Sequence, residues 1–279
     1  MRRHSDHTFS RTTCRCLSYA TNAPVFTMRM TGESILALVT ALAGTAAMAQ
    51  ASAPAPESTV SFNVGVVSDY RARSLSQTSF KPALQAGIDF SHTSGVYLGA
   101  WGSNVSWIKD VVGASDGSIE IDLYGGYRGE VVSGLGFDIG VITYQYPGNT
   151  ADRVLVNANT TEVYGALTFG IMTAKYSRST GNFTANPNSS GSAYIDLAAN
   201  IPLDSGFTLT AHVGRQTISN QNGAGDYSDL SLTFGKDFGS GLTGSVAAYT
   251  TDAKDAFYKV AGSDNLGKSG VSVGVKYSF

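Results

Sequence analysis

The last nine residues of the chain alternate strictly between apolar and small or polar side chains and end on an aromatic residue. Successive side chains of an extended strand point to opposite faces, so one face here is entirely apolar. The apolar positions are Val271, Val273, Val275, Tyr277 and Phe279, and the other face carries Ser272, Gly274, Lys276 and Ser278. Such a strand either buries its apolar face in a protein core or turns it toward lipid in a transmembrane barrel.

The rest of the chain repeats this pattern. Beyond Glu57, stretches of about ten residues have strand character, a length that suits a tilted transmembrane β-strand. They are predicted at 59–70, 82–92, 96–107, 118–130, 135–146, 160–169, 171–179, 192–202, 206–217, 227–237, 241–251 and 270–279. The connections alternate between long and short, as in outer-membrane barrels. We therefore predict an all-β fold, a transmembrane antiparallel up-and-down β-barrel of about 12 strands, with the first strand pairing with the last.

Charged side chains lie on the polar faces of the predicted strands. Carboxylates are hard to desolvate in an apolar core, but they suit a hydrated lumen. The pattern predicts these pore-lining residues: Glu120, Asp122, Arg128, Glu162, Asp196, His212, Asp229 and Lys276. Basic residues of the long loops are predicted to lie at the outer mouth: Arg71, Arg73, Lys81 and Arg153. Aromatic residues of the loops are predicted to form an interface girdle: Phe80, Trp107, Phe183, Phe257 and Tyr258.

The N-terminal part has the features of a secretory signal. An uncharged apolar run, 34–49, follows Arg29 and closes on Ala47-Met48-Ala49, a small-x-small cleavage site. We predict a signal peptide at 28–49, cleaved after Ala49, a linker at 50–58 and an outer-membrane barrel at 59–279. Residues 1–27 fit neither signal nor barrel, and we predict a misassigned start or a disordered extension there. Both cysteines, Cys14 and Cys16, precede the apolar run, so the processed chain would contain none.

Net charge and motif context argue against nucleic-acid binding and against two kinds of enzyme site. Residues 1–49 carry five basic and two acidic residues, so the formal net charge of −2 becomes −5 without them, which argues against nucleic-acid binding. The segment 113–117 matches a nucleophile-elbow pattern, and 239–244 matches a dinucleotide fingerprint. Both motifs need a helix directly after them, and here strands are predicted instead. We predict no catalytic residues, no cofactor and no metal, and we expect the protein not to be an enzyme.

Two resemblances add to this interpretation. Val275, Tyr277 and Phe279 resemble the C-terminal signal by which the barrel-assembly machinery recognises bacterial outer-membrane barrels. From about residue 60 to 279, the chain resembles the TorF family of porin-like proteins, most specifically in Ser-Asp-Tyr-Arg at 68–71 and Ser-x-x-Gln-Thr at 74–78. Ala72 and Ser74 depart from the aromatic residue and the Gly expected there. The resemblance implies a barrel in the bacterial outer membrane and carries over no functional residues.

We therefore expect a porin-like channel for passive or mildly selective passage of small hydrophilic solutes, in contact with outer-membrane lipid. Selection would depend on the width of the lumen and on its charged side chains. The alternative is a non-conducting structural or adhesive barrel whose outer loops bind a partner. The sequence leaves the solute and the oligomeric state open.

Overall fold

The computed structural model describes residues 56–259 and 264–279 and shows a closed β-barrel. Its strands are β1 (Ser58–Val67), β2 (Arg71–Ala72), β3 (Leu75–Ser76), β4 (Ala83–His92), β5 (Val96–Asn104), β6 (Ile119–Val132), β7 (Leu135–Gln145), β8 (Thr160–Phe169), β9 (Met172–Ser179), β10 (Ala193–Pro202), β11 (Phe207–Thr217), β12 (Tyr227–Gly239), β13 (Leu242–Thr251) and β14 (Gly270–Ser278). Short helices are α1 (Trp107–Asp110) and α2 (Asp255–Tyr258), with 3-10 turns at Ala151–Arg153 and Asp204–Gly206. Among the described residues, no helix combines the length and the apolar character needed to cross a membrane.

Twelve strands form the barrel, and each runs antiparallel to both neighbours. The predicted fold class is therefore confirmed. Strands β2 and β3 stand apart as a two-stranded hairpin. One end of the barrel carries both the short turns and the C-terminus, and we call it the turn end. The other carries the long connections, and we call it the loop end.

The first and last strands close the sheet. Strand β1 pairs with β14 from Asn63 opposite Ser278 to Val67 opposite Gly274. The pairing continues to the C-terminus, where the amide of Phe62 donates to the carbonyl of Phe279 at 2.8 Å and the amide of Phe279 donates to the carbonyl of Phe62 at 3.0 Å. Their rings stack with centroids 5.7 Å apart. Closure removes both sheet edges, so every strand has its backbone groups paired on two sides.

The outer surface is apolar because each strand turns its aliphatic positions outward. Val246 is 48% exposed, and its neighbour in sequence, Ala247, is 4% exposed. Aromatic side chains gather on this surface toward the turn end: Phe62, Tyr127, Phe169, Phe234, Phe238, Tyr277 and Phe279. An apolar belt with aromatic residues near one rim is the surface that a transmembrane barrel presents to lipid and to the headgroup region.

The strand ends differ from prediction where the chain turns into the lumen. Strand β1 ends at Val67 instead of residue 70, and β5 ends at Asn104 instead of residue 107. Tyr70 and Trp107 are buried in an apolar cluster inside the loop end, and this packing pulls their segments out of the barrel wall. The predicted girdle of loop aromatics is wrong for Trp107, Phe183 and Tyr258, which are buried, whereas Phe80 and Phe257 are half-buried.

Residues 1–55, with the predicted signal peptide at 28–49 and the cleavage site at Ala47 and Ala49, lie outside the described residues. The first strand begins at Ser58, one residue before the predicted barrel.

A matched pair in β13 tests the two faces of the wall. Val246 faces outward, and Ser245 lines the internal cavity. We expect Val246→Arg to lower the free energy of unfolding by about 2–4 kcal/mol, the cost of Arg on the lipid face near the bilayer midplane. Ser245→Arg should cost much less because its guanidinium reaches water. Urea titration of both variants in lipid vesicles measures the difference, and equal losses would contradict the assignment of faces.

Candidate functional site

The barrel interior contains a cavity of about 700 Å³, which is lined by polar and charged side chains together with apolar and aromatic ones. Its wall consists of the inward positions of the strands, which alternate with the apolar outward ones. Toward the turn end, the cavity is lined by hydroxyl, amide and charged side chains: Asn63, Lys175, Asn200, Thr208, Thr210 and Lys276. Toward the loop end, part of the chain itself enters the lumen.

The hairpin formed by β2 and β3, residues 71–76, enters the lumen at the loop end and contacts inward residues of β8, β11 and β12, and we call it the plug hairpin. Its neck is narrow, since the amide of Gln77 donates to the carbonyl of Tyr70 at 2.7 Å. Its tip is the pair Arg73 and Ser74, both left-handed with φ of 48° and 61°. Consecutive left-handed residues make the tight turn that suits a two-residue hairpin loop. The Gly expected from the TorF resemblance at position 74 would occupy this conformation without strain.

Arg73 crosses the lumen and binds the opposite wall. Its Nη2 lies 2.6 Å from Oε2 of Glu162 on β8, and its Nη1 donates to Oε1 of Gln216 on β11 at 2.7 Å. The Glu162 side chain is completely buried, and that of Arg73 is 13% exposed. The guanidinium also lies 4.5 Å from the ring centre of Tyr194 and 5.5 Å from that of Phe183. Charge, hydrogen bonds and aromatic faces therefore all hold the guanidinium.

Ser74 anchors the tip to a second acidic residue. Its hydroxyl donates to Oδ1 of Asp229 at 2.9 Å. The hydroxyl of Tyr194 lies 2.9 Å from the other Asp229 oxygen and 3.0 Å from Nε2 of His212. His212 in turn lies 3.5 Å from Asp196. The tip thus joins a polar network that spans β10, β11 and β12.

Arg71 holds the base of the plug hairpin to the last loop. Its Nε donates to Asp69 at 2.7 Å, and its Nη1 donates to the carbonyl of Lys268 at 2.7 Å. The guanidinium lies between the rings of Phe80 and Tyr249, 5.3 Å and 5.2 Å from their centres. The hairpin is therefore fixed at its base as well as at its tip.

The acidic residues of β6 lie beneath Tyr70. The Tyr70 hydroxyl donates to Oε1 of Glu120 at 2.8 Å, and Tyr70 packs edge-on against Trp101. Burial, reinforced by the charges of Glu120 and Asp122, raises the pKa of Tyr70 well above its ordinary value. The hydroxyl therefore stays protonated and remains a donor to the carboxylate.

The lumen toward the turn end contains a separate network of tyrosines and charges. Tyr97 donates to Asp138 at 2.6 Å, and Tyr124 donates to Asp89 at 2.5 Å. Arg128 lies 4.6 Å from the ring centre of Tyr97, and Lys175 lies 4.1 Å from that of Tyr164. The side chains of Arg128 and Lys175 therefore pack against aromatic rings of the barrel wall.

The predicted pore-lining residues all face inward, but they do not form one ring. Glu120, Asp122, Glu162 and Asp229 are buried near the loop end. Asp196 and His212 lie midway along their strands, while Arg128 and Lys276 lie toward the turn end. Within this predicted set, the loop end is therefore acidic and the turn end basic, and Asp89 and Asp138 add acidic groups toward the turn end.

The predicted outer-mouth residues separate into two groups. Lys81 and Arg153 are exposed on the loops, whereas Arg71 and Arg73 lie inside the barrel with carboxylate partners. Sequence reasoning missed Asp138, Tyr97 and Lys175. The alternation rule could have found all three, since each lies at an inward position of a predicted strand.

A closed barrel with an apolar exterior and a polar lumen defines the class of porin-like membrane barrels. Within it, the chain belongs to a family described as bacterial proteins of unknown function, Gcw_chp, whose model matches residues 49–279.

The fold is similar to that of outer-membrane porins. A structure titled KdgM porin in complex with disordered oligogalacturonate matches with a TM-score of 0.51 and 9% identity, covering 80% of this chain and 99% of that one. A second KdgM porin structure matches with a TM-score of 0.51, 8% identity and the same coverage. A NanC porin structure has a TM-score of 0.49 and 11% identity, covering 78% of this chain and 99% of that one. No curated protein matches the sequence.

Two substitutions at the hairpin tip separate backbone strain from hydrogen bonding. Ser74→Ala removes the bond to Asp229, which as a bond to a charged group is worth about 1.5–3 kcal/mol. Ser74→Gly removes the same bond but relieves about 1 kcal/mol of left-handed strain. We expect stability in urea titration to fall in the order wild type, Ser74→Gly, Ser74→Ala. If the Gly variant is the least stable, the backbone at position 74 is not left-handed.

Proposed function

We propose that this protein is an outer-membrane channel for small hydrophilic solutes, narrowed at its loop end by the plug hairpin. One observation carries the proposal: a closed barrel with a lipid-type exterior encloses a polar cavity of about 700 Å³. A barrel that served only as a scaffold could fill this space with apolar side chains, as small barrels do. Hydroxyl, amide and charged side chains share its lining with apolar and aromatic ones such as Leu155 and Trp101. The fold shared with the KdgM porin structures agrees with this function.

The orientation follows from the connections. We propose that the long loops face the exterior and that both termini lie in the periplasm, as in other outer-membrane barrels. The proposed processing removes residues 28–49 with anything before them, leaves 50–58 as a linker and delivers the barrel to the assembly machinery through Val275, Tyr277 and Phe279. We also propose, from the TorF resemblance, that this protein is a TorF-type porin of the bacterial outer membrane.

Selectivity would come from the plug hairpin and from the uneven charge of the lumen. A solute that passes the plug hairpin meets Asp196, which lies midway along β10 and lines the cavity. Toward the turn end it meets Lys175 and Lys276 together with Asp138. Carboxylates that line a passage raise the local concentration of cations. We propose a mild preference for cationic and neutral solutes over anionic ones.

The second candidate is a non-conducting structural or adhesive barrel with partner-binding loops. It is favoured by the apolar cluster at the loop end, which buries Trp107, Ile108 and Tyr146 together with Tyr70. If that cluster and the plug hairpin never move and leave no path, the lumen is sealed. The two candidates therefore differ in whether removal of the hairpin opens a path.

Excision of the plug hairpin tests the channel. Because Tyr70 and Gln77 are already hydrogen-bonded, residues 71–76 can be replaced by Gly-Gly with little strain at the neck. In planar bilayers we expect larger and more frequent conductance steps from the excised variant than from the wild type. Arg153→Ala, at an exposed loop position, serves as the control and should conduct like the wild type. Silence from a correctly folded excised barrel would favour the structural alternative.

A further inference from the structure

The groups that hold Arg73 form a binding site whose ligand is visible, because that ligand is a side chain of the protein itself. We define the arginine cradle as Glu162, Gln216, Phe183, Tyr194 and Tyr227. We propose that this cradle is a guanidinium-binding site of the lumen, and that a free guanidino solute competes with Arg73 for it and displaces the plug hairpin. The opening that follows displacement rests on the proposed channel function. The binding of a guanidinium to the cradle does not depend on it.

The cradle matches the shape of a guanidinium. Two nitrogens donate in different directions, one to Glu162 at 2.6 Å and the other to Gln216 at 2.7 Å. The ring centre of Tyr194 lies 4.5 Å from the guanidinium carbon. A guanidinium is planar, so it can donate to two acceptors and stack on an aromatic ring at the same time. An ammonium is a compact point charge and lacks this flat face. The site therefore discriminates between two kinds of cation.

Electrostatics require a cation in this place. Glu162 is completely buried, and Asp229, which accepts a hydrogen bond from Ser74 at the hairpin tip, is 3% exposed. His212, within 3.7 Å of Asp229, is the other group nearby that can carry positive charge. A buried carboxylate that loses its partner is strongly destabilised. When the hairpin withdraws, Glu162 loses its ion pair with Arg73, and an incoming cation can replace it.

The cradle is reachable from the cavity. Arg73, Phe183, Tyr194 and Tyr227 all line it, so a solute in the lumen meets the guanidinium and its aromatic walls directly. The tip is also held by weaker, exchangeable contacts: the Tyr227 hydroxyl donates to the carbonyl of Arg73 at 3.1 Å. A solute that takes the place of Arg73 removes the ion pair between the hairpin and the opposite wall and leaves the tip held by single hydrogen bonds, of which that from Ser74 to Asp229 at 2.9 Å involves a charged group. Once these bonds exchange with water, the hairpin remains attached at its base through Arg71 and can swing rather than unfold.

The binding arm of the test uses methylguanidinium as the probe and thermal unfolding of the folded barrel in detergent as the readout. Arg73→Ala should melt below the wild type, and methylguanidinium should raise its Tm saturably. Methylammonium at equal ionic strength should act about tenfold more weakly, the factor that one charge-assisted hydrogen bond is worth. The double variant Arg73→Ala with Glu162→Gln should not respond. Equal shifts with both cations, or a shift in the double variant, would overturn the site.

The conductance arm tests displacement and does not need the Arg73→Ala variant to fold. Methylguanidinium should increase wild-type conductance, while methylammonium at the same concentration should have little effect. L-Arginine and the peptide Gly-Arg-Gly, compared in the same way, separate a free solute from a peptide side chain. If the hairpin-excised barrel conducts but methylguanidinium leaves the wild type unchanged, displacement is overturned and the channel stands. If the excised barrel is silent, the channel fails, and the melting experiment still decides the cradle.

Discussion

The structure depends on one constraint: in a closed antiparallel sheet, each strand residue must face either lipid or the lumen, and its sequence neighbour must face the other. This constraint makes the outside aliphatic and leaves the inside free to be polar. It also determines where charge can lie. Glu120, Glu162 and Asp229 sit beside outward apolar neighbours on their strands, so their carboxylates can only point into the barrel.

Charge concentrated inside the loop end must be neutralised, and the plug hairpin brings the cations that do so. Arg73 neutralises Glu162 across the lumen, while Arg71 binds Asp69 at the hairpin base. Breaking a buried pair of this kind by removing one partner costs about 3–5 kcal/mol. The hairpin is therefore both a structural brace and an obstacle in the passage. Opening and stability are coupled, because whatever frees the lumen must also satisfy the buried carboxylates.

The strands of the barrel wall and the faces of their side chains were predictable from the sequence. The plug hairpin inside the lumen was not. Alternation is a local property, so positions such as Val271 and Ser272 reveal their faces within a few residues. The contact between Arg73 and Glu162 joins positions 89 apart. Nothing local in the segment 71–81 shows that it folds inward, and its left-handed turn uses Arg73 and Ser74 where Gly would have signalled a turn. The early ends of β1 and β5 have the same origin, since Tyr70 and Trp107 pack inside the barrel.

Residues 50–279 contain no cysteine, which allows the central claim to be tested one position at a time. Single cysteines placed along β13, Leu242–Thr251, can be labelled with a fluorophore in vesicles of brominated lipid and then exposed to a water-soluble quencher. If the barrel faces lipid outside and water inside, quenching by lipid and quenching from water will alternate with a period of two residues, and Val246 will belong to the lipid set. Alternation of the opposite parity, or uniform quenching from water along the whole strand, would contradict a lipid-facing barrel with a hydrated lumen.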